Sequence, residues 1–384
     1  MNRSIIPILF FYLIERTVLQ GIIPVLPVLA TNISHNSTQA SIYLSICYVS
    51  ILIGSLLTDK ISNLGVSIKI LTLINSIPLC VLVGIIGFQK NILPLTIVTA
   101  SAYFLIGLQL NFITIMVSHL SSPNKAGQNF GILNNMLLLG TVLGGFIIGP
   151  TVDAWGYKTA FVVFGGGLLL SYIPVAFVHI PPKEIVSKTF DKAILTPSFV
   201  WLLIIIGIGT MLTQVGRFCI VIDMKDKQMS LSNISYAFAI GTLIASPLPY
   251  LYGYLTGKVS NKLLLISTLI SLVISFFILR FAATWQHFVS VIFLISIMLY
   301  CSKGVCNKIC YELFPQERQA TAQSWLATAN WFAIIFGYGW VGFASDKLTV
   351  INVSMIGCVL AIGIVILGLI KFKWKVNTSR SIEK

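Results

Sequence analysis

Leu57-Thr58-Asp59-Lys60-Ile61-Ser62-Asn63 and Leu255-Thr256-Gly257-Lys258-Val259-Ser260-Asn261 are near copies of one another, 198 positions apart. Five of the seven positions are identical and one exchanges Ile for Val. A second correspondence runs at almost the same offset, 193: Gly144, Gly149 and Asp153 against Gly337, Gly342 and Asp346. Two matches at nearly one spacing argue for a duplicated half, so the fold is read from what surrounds each copy.

Those surroundings are apolar. Of 384 residues 57% are hydrophobic and only 9% charged, and the mean hydropathy is +0.94. A soluble domain carries roughly 25% charged residues to cover its surface. A bilayer core about 30 Å thick needs a helix of about 20 apolar residues, and runs of that length fill the chain. Twelve are expected, near 5–30, 40–57, 68–88, 93–117, 130–152 and 159–179, then 199–222, 232–255, 263–281, 288–311, 321–344 and 350–370. The turn at 152–159 is short. These runs are too long for membrane strands and lack their alternation. The first is too long for a cleaved signal and contains Glu15 and Arg16, so it reads as a permanent span.

The repeated loops follow the second and eighth spans, and the Gly-Gly-Asp match lies at the fifth and eleventh. The expected fold is therefore an all-α polytopic membrane protein, with about twelve transmembrane helices in two pseudo-symmetric six-helix bundles. Parallel repeats about an axis along the membrane normal are a known transporter plan. Pro181-Pro182 ends the sixth run, since proline lacks the N–H a helix interior needs. The division expected is a bundle at 1–180, a polar cytoplasmic linker at 181–197 and a second bundle at 198–384.

Basic residues set the orientation, because cytoplasmic loops hold an excess of Lys and Arg. One side collects Arg3, Lys60, Lys69, Lys125, Lys183, Lys188, Lys192, Lys258, Lys262 and Arg318 with a basic tail; the other has Lys90, Lys158, Lys225, Lys227, Arg280 and Lys347. Both termini are expected in the cytoplasm, in a bacterial inner membrane. The net charge of +14 is scattered over short loops, which fits lipid headgroups better than nucleic acid. Seven cysteines lack the spacing and the His or carboxylate neighbours of a metal site, and no phosphate-binding P-loop is present. No enzyme activity, metal or cofactor is expected, and the chain is read as a monomer.

The repeated loop resembles the signature of the major facilitator superfamily, G-x-L-x-D-[RK]-x-G-[RK]-[RK]. Leu57, Asp59 and Lys60 match in the first copy, with Ser55 and Ser62 in place of Gly and Asn63-Leu64 in place of the basic pair. Gly253, Leu255, Lys258 and Lys262 match in the second, with Gly257 in place of the acid. The resemblance implies a cytoplasmic gate at Asp59, Lys60 and Lys258, in which the Asp accepts from amides at a neighbouring helix N-terminus. The plain reading is of solvated loop charges. Gly140-x3-Gly144-Gly145-x3-Gly149-Pro150 resembles the glycine-rich helix of proton-coupled exporters, although Gly145 replaces Pro and Ile148 a Gly. Gly140, Gly144 and Gly149 equally suit close helix packing. Gly21-Ile22-Ile23-Pro24-Val25-Leu26-Pro27 looks like the first helix of tetracycline and multidrug proton antiporters. Ile14-Glu15-Arg16 matches part of the peptide-transporter motif E-x-x-E-R, but Tyr12 stands where its first Glu should be.

Ionisable groups at membrane depth are a functional hypothesis by default. Glu15 is the acid expected near the bilayer centre, with Arg16, Arg217 and Lys303 as cavity charges. In the family, spans 1, 4, 7 and 10 line the cavity, and these four residues lie on three of them. Glu15 is expected to carry the coupling proton with Lys303 or Arg217 as partner, Arg16 pointing about 100° away around the helix. A static packing ion pair and an anion site made by the three cations are the alternatives. Tyr12, Gln20, Gln109, Asn111, Gln214, Asn307, Asn330, Trp325 and Trp331 are candidate cavity residues. The expected function is secondary active transport of a small organic molecule, driven by the proton gradient and outward. Uptake of an amino acid, peptide or organic anion is the alternative, and a non-transporting receptor or scaffold is the alternative of another class.

Overall fold

The computed structural model describes residues 5–62, 64, 66–120, 126–176, 195–256, 258–314, 316–345 and 350–371. The expected linker lies outside them up to residue 194, as do the tail from 372, Gly257, Asp346 and the side chain of Asp59, the expected gate acid. Every regular element among the described residues is helical.

Span 1 is Ile5–Ile22 continued by Val25–Ser34, and Pro24, which has no N–H to give, stands at the break. Spans 2, 3 and 4 are Ser37–Ser62, Ile68–Ile86 and Ile92–Leu120. Spans 5 and 6 share one helical stretch, Ala126–Ser171, followed by Ile173–Ala176. Span 7 is Pro197–Asp226, and span 8 is Leu231–Ala245 with Leu248–Leu255, again divided at a proline, Pro247. Span 9 is Asn261–Arg280; span 10 is Trp285–Ser296, a π turn at Ile297–Cys301 and Ser302–Leu313. Spans 11 and 12 are Gln316–Ser345 and Val350–Lys371. Side-chain caps set several starts: Ser67, Thr196, Ser230 and Ser260 each accept from the backbone N–H three residues on, supplying a partner to an orphan donor.

Among the described residues ten helices are long and apolar enough to cross a membrane, against twelve expected passages. The difference has two sources. The twelfth span is counted only over its shorter apolar stretch, Asn352–Gly368, and the fifth and sixth fall in one stretch, Ile132–Val175. Gly156 breaks that stretch at φ 73°, ψ 166°, a conformation open mainly to glycine. Packing on either side shows that the chain reverses there. Gly140 lies against Arg16 and Thr17, and Gly144 against Thr17 and Gly21, so span 5 runs parallel to span 1. Gly87 meets Tyr157 and Lys158 whereas Gly165 meets Cys80 and Gly84, so span 6 runs antiparallel to span 3. The two passages are joined by the turn expected near 152–159.

The outer surface is apolar, as lipid requires. On span 3, Ile70, Ile74, Ile77, Val81 and Ile85 are exposed along one face while Thr72, Asn75, Ser76 and Cys80 are buried on the other. In water that arrangement would be inside out; in a bilayer polar groups are satisfied within the bundle. Asn75 does this by donating from Nδ2 to Leu105 O (3.0 Å) and to Gln109 Oε1 (2.9 Å) on span 4.

The duplicated glycines occupy equivalent places. Gly144 packs on span 1 and Gly337 on Met211 and Gln214 of span 7; Gly149 packs on Leu231 and Ser235 of span 8 and Gly342 on Thr38 and Ser41 of span 2. Exchanging the first six spans for the last six therefore maps one set of contacts onto the other. The bundles meet along two seams, span 2 on span 11 and span 5 on span 8. Thr38 Oγ1 donates to Gly342 O (2.5 Å) and Ser45 Oγ to Ile335 O (2.9 Å). Asp153 Oδ2 accepts from Ser232 N (2.7 Å) and Ser232 Oγ (2.5 Å). These contacts lie toward the far face, opposite the one that carries the chain ends.

A cationic, tyrosine-lined cleft between the bundles

Toward the terminal face the surfaces between the bundles carry polar groups that solvent reaches. Asn134 and Asn135 on span 5 and Lys303 and Asn307 on span 10 are exposed, although each lies six or more residues inside its span. Such groups at membrane depth face water or protein rather than lipid, so the cleft opens toward the terminal face. Far-face closure and terminal-face opening together define one state of a two-bundle molecule.

At the first bundle's side of this cleft is a small cavity of about 80 Å3. Arg16, Gln20, Tyr48, Tyr103 and Trp331 supply its polar and aromatic lining, and Leu19, Ile22, Ile51 and Ile106 contribute to its apolar wall. Behind it sits Glu15, 0% exposed. The expected partners of Glu15 were Lys303 or Arg217, with Arg16 turned away. Instead Arg16 Nη2 lies 3.4 Å from Glu15 Oε2, because a long arginine chain can fold back on its neighbour despite the 100° between the two Cβ directions. At 3.4 Å the pair is longer than a strong charge-assisted hydrogen bond, and neither carboxylate oxygen has a hydrogen-bond partner among the described residues. The Arg16 guanidinium also stands 4.8 Å over the Tyr12 ring. Cys80 of span 3 and Tyr172 of span 6 complete the surroundings that feel the Glu15 charge. The ion pair belongs to the interior of the first bundle, and Arg16 separates Glu15 from the cavity.

The second cation is on the opposite wall. Arg217 lies 5.5 Å over the Phe238 ring, and among the described residues it has no carboxylate partner. The adjacent Phe218 meets Tyr338 at 6.3 Å, and Tyr48 packs edge-on against Tyr103 at 5.6 Å. Tyr48 and Tyr338 stack at 5.2 Å and 12°, and Tyr48 approaches Trp331 at 6.3 Å. Tyr338 donates to Gln214 Oε1 (3.2 Å), and Tyr300 bonds Thr141 across the bundle boundary. Tyr300 lies within the π turn and Lys303 just beyond it; such turns occur often at functional sites.

The other expected residues separate into two groups. Asn307 is exposed in the cleft. Gln109, Asn111 and Asn330 are committed to helix packing: Gln109 to Asn75, Asn111 Nδ2 to Ser55 O (2.9 Å) and Thr58 Oγ1 (3.1 Å), and Asn330 Oδ1 to Thr210 Oγ1 (2.8 Å). Gly140 and Gly144 hold span 1, while Gly149 holds span 8. Lys60 is exposed. Lys258 stacks on Tyr254 of its own span and donates to its hydroxyl, which ties it away from the other bundle. The tyrosines were missed from sequence. Their signal was depth: Tyr usually collects at membrane interfaces, and Tyr48, Tyr103 and Tyr300 are well inside their spans. Among the described residues no three or more His, Cys, Asp or Glu side chains converge on a metal-binding point.

Known proteins agree with this architecture. The chain matches the family model described as Major Facilitator Superfamily over residues 8–338 and again over 206–381. It is 21% identical over 270 residues to an uncharacterised MFS-type transporter of Methanocaldococcus jannaschii, covering 67% of this chain and 68% of that protein. Among solved structures, the nucleoside transporter NupG, crystallised as a mutant, superposes with a TM-score of 0.80 at 10% identity, over 97% of this chain and 100% of that one. A POT family transporter bound to 5-aminolevulinic acid gives 0.79 at 14% identity, over 96% of each chain. A bacterial homolog of the human lysosomal transporter Spinster, inward-facing and occupied, gives 0.72 at 14% identity, over 96% and 97%. At these identities the structures establish the fold, and the model match over most of the chain establishes the family: the protein is a membrane transporter of the Major Facilitator Superfamily.

Proposed function

We propose that the chain carries a small organic molecule by alternating access, as a monomer driven by the proton gradient, and that it exports. The observation that carries this reading is the asymmetry of the cleft. Seam contacts close the far face at Asp153–Ser232 and Thr38–Gly342, while Asn135, Lys303 and Asn307 are reached from the terminal face. With both termini in the cytoplasm of a bacterial inner membrane, this is the inward-open state, the one from which an exporter loads.

Glu15 is the proposed proton carrier. It is buried and without a hydrogen-bond partner among the described residues, so its carboxylate form is poorly solvated and protonation relieves that cost. The groups facing it are Tyr12 and Arg16 on span 1, Cys80 on span 3 and Tyr172 on span 6. The likeness of Gly140, Gly144 and Gly149 to the exporter helix supports the outward direction. One observation favours uptake instead: Arg16 stands between Glu15 and the cavity. Protonating Glu15 frees that cation for an anionic solute, and proton and anion then move together.

Solute pools measured by mass spectrometry in cells lacking the protein and cells over-producing it test the direction. Export predicts that at least one small organic solute accumulates inside cells lacking the protein and falls on over-production. The reverse pattern assigns uptake, and no change in any pool removes the transport reading.

A further inference from the structure

The first bundle holds a cation with unused donors against a cavity. Arg16 lines the cavity of about 80 Å3 and is itself only 3% exposed. Its Nε and Nη2 have no hydrogen-bond acceptor among the described residues; Glu15 Oε2, at 3.4 Å, is too distant for a charge-assisted bond. Buried guanidinium donors without an acceptor are costly. The rest of the lining tells what kind of acceptor fits. Ten of the fifteen lining residues are aliphatic, and besides Arg16 the side chains with polar atoms are Gln20, Tyr48, Tyr103 and Trp331. One water needs about 10–15 Å3 and two to four polar partners. Several waters fit the volume, but the aliphatic walls leave most of them without partners. An occupant with one anionic end and a short apolar end satisfies both the donors and the walls.

We infer that this cavity binds a small aliphatic monocarboxylate, acetate or propionate in size, with its carboxylate on Arg16 and its alkyl end against the aliphatic wall. Nε and Nη2 form one edge of the guanidinium, the two-donor edge that a carboxylate meets with both oxygens. Size limits the alkyl end: an apolar cavity of about 150 Å3 takes benzene, and roughly half that volume excludes a chain as long as hexanoate. Trp331 is the one lining residue from the second bundle, so the site is complete only when both bundles contribute. Charge sets a further condition. Glu15 already offsets Arg16, and a second carboxylate would leave a buried negative charge unpaired, which is strongly unfavourable. The anion therefore binds together with a proton on Glu15, and this condition rests on the proposal that Glu15 carries the proton. The other ionisable groups facing Glu15 are Tyr12 on span 1, Cys80 on span 3 and Tyr172 on span 6, with Tyr48 and Tyr103 across the cavity on spans 2 and 4. None of these is charged near pH 7, and span 5 brings no ionisable side chain between Gly140 and Pro150. Glu15 is thus the group whose protonation sets the charge at Arg16.

The test titrates the full-length protein in nanodiscs with propionate, propionamide, hexanoate and chloride, and reads calorimetric affinity and melting temperature. Propionate is expected to bind and to raise the melting temperature, and the other three to do neither. Its affinity is expected to rise as pH falls from about 8 to about 6, where the probe stays ionised, by up to about tenfold per pH unit for one linked proton. Glu15→Gln is expected to bind propionate with that pH dependence gone. Adding Arg16→Gln to it keeps the charges balanced and is expected to weaken propionate about 10- to 100-fold, the loss typical of a hydrogen bond to a charged group. Should the double variant fail to fold, Ala102→Leu fills the cavity from span 4 with Arg16 in place and is expected to abolish binding. No propionate binding, equal binding of the amide, hexanoate or chloride, or unchanged affinity in the double variant or in Ala102→Leu overturns the site and leaves Glu15 as proton carrier untouched. Propionate binding that ignores pH in the wild-type protein leaves the site standing and removes the proton from Glu15.

Discussion

Span 5 carries two glycine pairs on adjacent faces, and they should respond differently to the same added methyl. Gly145 and Gly149 meet the other bundle: a Cβ at 145 would stand 2.7 Å from Ser235 O and 2.8 Å from Ala239 Cβ, and one at 149 2.5 Å from Leu231 O and 2.7 Å from Ser235 Cβ. Comfortable carbon contacts are about 3.5–4.0 Å, so spans 5 and 8 must part by roughly 1 Å. Over-packing of this kind costs about 1–3 kcal/mol, and it arises only while the far face is closed. The ratio of far-face-closed to far-face-open molecules should then fall by about 5- to 150-fold. Gly144 meets its own bundle, where a Cβ would lie 2.8 Å from Gly21 Cα. That clash persists in both states if each bundle moves as a body. Gly144→Ala should therefore lower the melting temperature without moving the equilibrium. Double electron–electron resonance between labels at Ala154 and Gln286, both exposed, in a cysteine-replaced background reads the far-face distance. Gly149→Ala should populate a longer distance and Gly144→Ala should not. An unchanged distribution in Gly149→Ala, or the same shift in both, refutes the seam as a moving contact.

Two further perturbations follow from the same contacts. Asp153→Ala removes the acceptor that caps span 8 from the other bundle; a lost cap is worth about 1 kcal/mol, so the same distance measurement should shift roughly fivefold toward the open form. Arg16→Gln leaves Glu15 buried without its counter-charge and should cost about 3–5 kcal/mol of stability. Adding Glu15→Gln should restore most of it, and additive losses in differential scanning fluorimetry would contradict a coupled pair.

The spans were legible because lipid imposes one length and one composition on each. The reversal between spans 5 and 6 was less so, since a single glycine at positive φ makes the turn and the flanking residues stay helical. The duplication predicted which glycines are equivalent, but not that Gly144 faces span 1 while Gly149 faces span 8; adjacent faces of one helix look alike in a linear pattern. Depth placed Glu15, Arg217 and Lys303 together, but charge pairing depends on azimuth. The π turn at Ile297–Cys301 inserts about one residue and rotates everything after it by about 100°, so Lys303 escapes any regular helical projection. The packed rings of Tyr48, Tyr103 and Tyr338 come from three spans, and no local pattern announces such a convergence.

Glu15 is proposed to take up and release the coupling proton. Wild-type and Glu15→Gln proteins in vesicles, each given a transported solute, can be followed both for solute exchange at equal pH and for pH-driven accumulation. Glu15→Gln should still exchange solute across the membrane but no longer accumulate it against a gradient or move protons with it. Undiminished pH-driven accumulation in Glu15→Gln would contradict it.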